Sequence, residues 1–376
     1  MALGRDMRGE WRLDPDFLTV NHGSFGATPL CVRAAQDAIR EEMEAQPTRF
    51  MASLPGRLRA TADRLGAFLG AEGKDIAFVD NATTGCNAVL RSIALSQGDE
   101  ILVLGHVYNA VRNTVRFVTE RAGARMAVAE IPFPGTTDDA VVAAVTEALT
   151  ARTRMAVIDH IASGSALILP VARIAAVCHA AGVAVLVDGA HAPGQIDLDV
   201  PATGADWYTG NCHKWLCAPK GSAFLWTRPD RQAALHPVTI SHGLDQGYLQ
   251  EFDWTGTRDP SAVLSIPAAL DFHERLGGAA LRARNAALAA EGAALVAQRL
   301  NTEAVAPGGA MALVRIPWGG DALALRTLLL AAGTDTPVHA IEGANWLRLS
   351  AFAYNDLDDY ARLADLVARI LRENPS

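Results

Sequence analysis

The stretch WYTGNCHKWLCAPKG, residues 207–221, brings an asparagine, two cysteines, a histidine and a lysine together just before an Ala-Pro-Lys-Gly turn. Two chemistries compete for it. Cys212, His213 and Cys217 are the residue types of a zinc site, whereas a desolvated Lys214 would lose basicity and become a nucleophile towards aldehydes. Structural zinc sites pair two close ligands with a second close pair, in CxxC or HxxxH spacing, and no second pair stands elsewhere in the chain. We expect no metal, and read Cys212 and Cys217 as small buried residues beside the lysine.

Two further clusters bear on the lysine. VDNATTG sets Asn81, Thr83 and Thr84 where an apolar run gives way to a helix. Free N–H groups and hydroxyls at a helix start favour an anion such as phosphate, although a threonine there also reads as a plain N-cap. VDGAHAPGQ places Asp188 at the end of the most apolar run, with His191 three residues on. A buried carboxylate needs an answering group; the protonated ring nitrogen of a cofactor would serve, and so would the N–H groups of the following turn. An anion cradle, an acid and a lysine, in that order along the chain, meet the three demands of pyridoxal 5'-phosphate (PLP): its phosphate, its pyridine nitrogen and its aldehyde.

Positioning these groups requires a framework. From about residue 75, short continuous apolar runs (75–80, 100–106, 125–131, 154–160, 183–190 and 222–227) alternate with segments of helical spacing that end near glycine. Continuous runs suit strands buried on both faces. The alternation predicts an α/β fold with a mostly parallel sheet flanked by helices, whose ligands bind beyond the carboxyl ends of the strands. After about residue 260 an Ala/Leu/Arg/Glu-rich stretch predicts one or two long helices, followed by the strand-like runs MALVRIP and NWLRLSA and an amphipathic helix. We expect a large domain over 21–260 and a smaller α+β domain made of 1–20 and 261–376, with no internal repeat.

Composition narrows the class. At 376 residues, half of them hydrophobic but with no apolar run of about 18, the chain spends its apolar content on an interior and not on a membrane span. A net charge of −8 with no Lys/Arg block argues against nucleic-acid or anionic-membrane partners. Five scattered cysteines suit reduced thiols, and the first residues lack the apolar core of a secretory signal, so a cytoplasmic location is expected.

With these residues in view, the chain resembles the fold-type I PLP enzymes, within them the class V aminotransferase group, and there the isopenicillin N epimerase-like branch. The matching stretches run nearly end to end: NHGSFGATP (21–29), ATTG (82–85), YNA (108–110), VDGAHAPGQI (187–196), GNCHKWLCAPKG (210–221), WTGTRD (254–259) and RLSAFAYN (348–355). The resemblance implies a seven-stranded-type sheet in the large domain and a role for each matched position. Lys214 would hold the cofactor aldehyde covalently and act at the substrate's Cα. Asp188 would pair with the pyridinium nitrogen, His191 would lie near the ring's phenolic oxygen, and Tyr108 would stack on the ring. Thr83, Thr84 and His213 would bind the phosphate with Asn211 nearby, and Gly256-Thr257 would complete the phosphate site of a second subunit, which implies a homodimer with a shared active site. Arg348 would take the amino-acid substrate's carboxylate, with Asn21 and His22 bordering that pocket.

The reaction is less constrained. Cysteine desulfurases of this class need a mobile cysteine in the C-terminal part, and the last cysteine here is Cys217. Epimerisation needs a proton delivered to the opposite face of Cα, for which Tyr108, a water or His22 could serve. By nearest resemblance we expect an epimerase or racemase, with a carbon–sulfur β-elimination lyase or an aminotransferase as alternatives. A non-catalytic PLP-binding regulator normally carries a DNA-binding module, and no basic extension of that kind is present. The substrate side chain is not legible; Glu251, Asp253, Arg258 and the His242 region lie in the segment 236–259 that would read it.

Overall fold

The computed structural model describes residues 3–374; the outermost two residues at each end of the expected small domain lie outside the described residues. Its large sheet has seven strands: β1 (Ile76–Val79), β2 (Glu100–Leu104), β3 (Arg125–Ala129), β4 (Thr153–Asp159), β5 (Ala184–Asp188), β6 (Trp207–Asn211) and β7 (Ala223–Thr227). They lie in the order β1-β7-β6-β5-β4-β2-β3. β7 runs antiparallel to both its neighbours, and the remaining pairs are parallel. The α/β class and mostly parallel sheet are therefore as the apolar runs imply.

Burial follows the position of each strand. β1, β2 and β7 are buried throughout, as continuous apolar runs require. β3, at one edge of the sheet, has the same apolar texture but is largely half-buried, whereas β1 at the other edge is covered, its Ala77 and Val79 sharing a core with Tyr248 and Phe252. Helices such as Ala82–Ser92 and Asn109–Ala122 cover one face, where Val89, Val111 and Val115 pack on Ile101 and Val103. On the other face Leu58, Leu65, Ile174 and Phe272 join a larger core with Leu102, Ile158 and Val187.

The second sheet is antiparallel and has four strands, β8 (Ala304–Val305), β9 (Met311–Ile316), β10 (Val338–Ile341) and β11 (Ala344–Ser350), in the order β10-β11-β9-β8. Its core joins Val314, Leu347 and Leu349 to Val296 of the helix Ala279–Leu300 and Leu363 of the helix Leu357–Glu373. The Ala-rich stretch is two helices, Ile266–Arg275 and Ala279–Leu300, broken at Gly277-Gly278, where both residues have positive φ. No helix of the described residues is long and apolar enough to cross a membrane.

Candidate active site

The carboxyl ends of the parallel strands meet around a cavity of about 210 Å³. Asp188 ends β5, Asn211 ends β6 and Asp159 ends β4, while Asn81 and Thr83 follow β1 and Tyr108 follows β2. Each of these residues lines the cavity, as do His191, His213 and Lys214. Parallel strands deliver their carboxyl ends to one edge, so the topology alone gathers groups that are up to 133 positions apart (Asn81 to Lys214).

Lys214 lies in the connection between β6 and β7. That connection is folded back on itself: Cys217 N–H donates to Lys214 O at 3.1 Å and Ala218 N–H to Cys212 O at 3.0 Å, with Cys217 at φ 61°. Residues 21–26 clamp it from outside. His22 Nε2–H donates to Lys214 O at 3.0 Å, which fixes the tautomer so that Nδ1 accepts from the Tyr354 hydroxyl at 2.9 Å. The ring stacks on Phe352 at 3.7 Å, and burial lowers its pKa to about 3. Gly26 has to be glycine: φ is +66°, and a Cβ would sit 2.0 Å from His213 O.

Burial, and then the charge of Arg348, lower the Lys214 pKa to about 7, with Asp188 acting the other way. Its amine is thus substantially unprotonated at neutral pH. Nζ lies 3.0 Å from His191 Nε2, and His191 is held far below the usual imidazole range by burial first and by Lys214 next. Asp188 accepts from Ala190 N–H at 3.0 Å. At the anion end, Asn211 Oδ1 accepts from Ala82 N–H at 2.8 Å and Asn81 Oδ1 from Thr84 N–H at 2.9 Å, which leaves the Thr83 N–H in the first turn of the helix Ala82–Ser92 for a ligand. His213 shares this end; its pKa is lowered to about 4, chiefly by burial, and Nδ1 lies 3.2 Å from Ser222 O.

Other expected residues stand back from the cavity. Thr84 spends its N–H and hydroxyl on Asn81. Arg348 on β11 is 2% exposed; its guanidinium donates to Ser163 O (2.6 Å), Ser24 Oγ (2.8 Å) and Asn21 Oδ1 (3.1 Å), and it is Ser163 and Ser24 that line the cavity. Asn21 donates in turn to Asp335 at 2.7 Å, which is paired with Arg326. His22 spends both nitrogens within the protein, as described. Gly256 borders a different recess with Asp80 and Arg258, and neither it nor Thr257 lines this cavity. Of the segment residues expected to read a side chain, Glu251 is tied to His236 (2.7 Å), Asp253 to Arg59 (2.6 Å) and Arg258 to Asp80 (3.1 Å).

The sequence reading missed Asp159, Ser24 and Ser163. Asp159 ends an apolar run as Asp188 does, but its place beside Asp188 comes from the strand order. It also missed an adjoining cleft of about 420 Å³, which shares Tyr108 and Ser163 with the first and is lined by His106, Glu130, His339 and Glu342. Tyr108, 44% exposed, stands between the two.

Among the described residues no group of three or more His, Cys, Asp or Glu side chains is arranged to hold a metal ion. The cavity does fit PLP on its own evidence: an amine of lowered basicity, a first-turn N–H at a helix start, and two buried polar atoms without partners, His191 Nδ1 and Asp159 Oδ2.

Comparison with known proteins agrees. The aminotransferase class-V family model matches residues 27–312, and the chain belongs to that family of PLP enzymes. It is 33% identical to the isopenicillin N epimerase of Amycolatopsis lactamdurans, over 96% of this chain and 97% of that protein. It is equally 33% identical to a putative L-cysteine desulfhydrase of Oryza sativa, over 94% of this chain and 83% of that protein. A cystine C–S lyase solved with its reaction product cysteine persulfide shares the fold, with a TM-score of 0.80, 22% identity and coverage of 94% of this chain and 98% of that one; a variant of that lyase was solved with glycine covalently linked to its PLP cofactor. The protein is thus a PLP-dependent enzyme of fold type I.

Proposed function

We propose that the protein epimerises an amino acid at Cα, with Lys214 and Tyr108 as the two proton-transferring groups. The observation that carries this reading is that both line one cavity from separate elements, Lys214 half-buried beside the buried Asp188 and His191 and Tyr108 at the exposed mouth. PLP, when bound, draws electrons from Cα and so acidifies its proton.

The chain's own residues do the rest. Lys214, held by His22 through its carbonyl, removes the Cα proton as a base of pKa about 7. The Tyr108 hydroxyl delivers a proton from the other side. Asp188 holds the pyridine end of the cofactor, His191 its phenolic edge, and Thr83, Asn211 and His213 the phosphate end. Arg348 exchanges Ser24 and Asn21 for the substrate carboxylate, a gain because a charge-assisted bidentate pair replaces neutral acceptors. The adjoining cleft gives room for a side chain larger and more polar than that of cysteine. Gly256 and Thr257 serve the phosphate site of a second copy, so the working form is a homodimer.

A second reading, β-elimination from a cysteine-type substrate, is favoured by the desulfhydrase likeness. It needs Lys214 and a leaving group, and leaves Tyr108 idle. Replacing Tyr108 by phenylalanine separates the two readings. Epimerisation would fall by about 10²-fold or more, whereas release of pyruvate and ammonia from a cysteine conjugate at the wild-type rate in both proteins would favour the lyase.

A further inference from the structure

Asp159 is a buried carboxyl that this chemistry leaves unused. It ends β4, and the parallel register sets it directly beside Asp188 at the end of β5, where neighbouring strands are about 4.8 Å apart. Both are 3% exposed. Their support differs. Burial raises the Asp188 carboxyl too, but the bond it accepts from Ala190 N–H at 3.0 Å and the charge of Lys214 act the other way. Asp159 has one long bond on Oδ1, from Tyr108 N–H at 3.3 Å, and no partner for Oδ2, although the residue lines the cavity.

Two adjacent carboxylates shielded from water cannot both ionise, and the proton settles on the one less well supported. The other titratable groups near the pair offer no cation to Asp159. Cys86, on the helix Ala82–Ser92, has its thiol pushed up by burial and by both carboxylates, and Tyr208 on β6 has its phenol pushed up by burial and by Asp188. Burial first, and the charge of Asp188 second, drive the Asp159 carboxyl well above the usual carboxylate range.

We propose that Asp159 is a neutral carboxylic acid at neutral pH and that its Oδ2–H donates a hydrogen bond to an acceptor on the bound cofactor, leaving Asp188 as the single negative charge at the cavity floor. This rests on the cavity being the PLP site and not on which reaction follows at Cα.

Infrared difference spectra of the apoprotein and holoenzyme at neutral pH test the first half without relying on a variant's function. A protonated carboxyl stretch, sensitive to deuterium exchange and missing in Asp159→Asn, is expected. Its absence from the wild type would overturn the proposal. PLP titration of the apoproteins tests the second half. Asp159→Asn keeps a neutral donor and is expected to bind PLP within about threefold of wild type, whereas Asp159→Leu should bind about 10-fold or more weakly. Equal weakening in both would show that a carboxylate charge is needed, and no weakening in Leu would show that there is no contact; either result sinks the proposal. Failure of the wild type to take up PLP would instead sink the cofactor reading, with the apoprotein spectrum still informative about Asp159.

Discussion

The floor and the rim of the cavity are built on different terms. Lys214, Asp188, His191 and Asp159 stand on or just beyond the ends of buried strands, where burial shifts every one of their protonation equilibria. Tyr108, His106, Glu130 and Glu342 stand on exposed or half-exposed connections, and His339 on β10 has its pKa lowered to about 4 by burial and then by Arg348. The floor carries the groups we propose to hold PLP, set at the ends of the strands. The rim is where a particular substrate and reaction can be chosen, since connections change without disturbing a core.

Breaking the floor should therefore cost most. Lys214→Ala is expected to abolish the reducible lysine–PLP linkage and to lower turnover by about 10³-fold or more, with the fold retained; mass spectrometry after borohydride treatment checks the linkage, and a linkage surviving in that variant would refute the assignment. Between floor and rim, Arg348→Ala should raise the KM for the amino acid by about 10–100-fold, the worth of hydrogen bonds to a charged group, while leaving PLP affinity nearly unchanged. Equal losses of both would mark Arg348 as structural.

The floor also predicts a stability signature. Lys214 titrates near 7 when folded and near 10.5 when unfolded, so between those values the unfolded chain binds the extra proton and stability rises with pH. Denaturant melts of the apoprotein should show wild type gaining on Lys214→Met by about 1.4 kcal/mol per pH unit across that window, with no relative gain below it. At the rim effects are smaller. Glu342→Gln should change the preference among side chains by no more than about fivefold, as befits an exposed charge, and leave PLP binding alone.

This contrast also explains what could be read from residues in order. The strands were legible because burial on both faces leaves a continuous apolar run, and Asp188 and Lys214 because a polar residue at the end of such a run is conspicuous. Asp159 also ended an apolar run, yet its meaning depends on which strands are neighbours, and only the order β5-β4 supplies that. His22 was expected at the substrate pocket; its tie to the Lys214 carbonyl depends on how residues 21–26 dock on a loop almost two hundred positions away, which no periodicity reports. The cleft beside Tyr108 forms where the connection after β2 meets β10, two segments from different sheets.

The measurement that tests the central claim most directly is incubation of the PLP-loaded protein with a panel of L-amino acids in heavy water, followed by analysis of Cα configuration and isotope. The account predicts that at least one amino acid with a polar side chain longer than that of cysteine returns with inverted configuration and deuterium at Cα. Deuterium with full retention across the panel, or pyruvate and ammonia as the sole products, would contradict it.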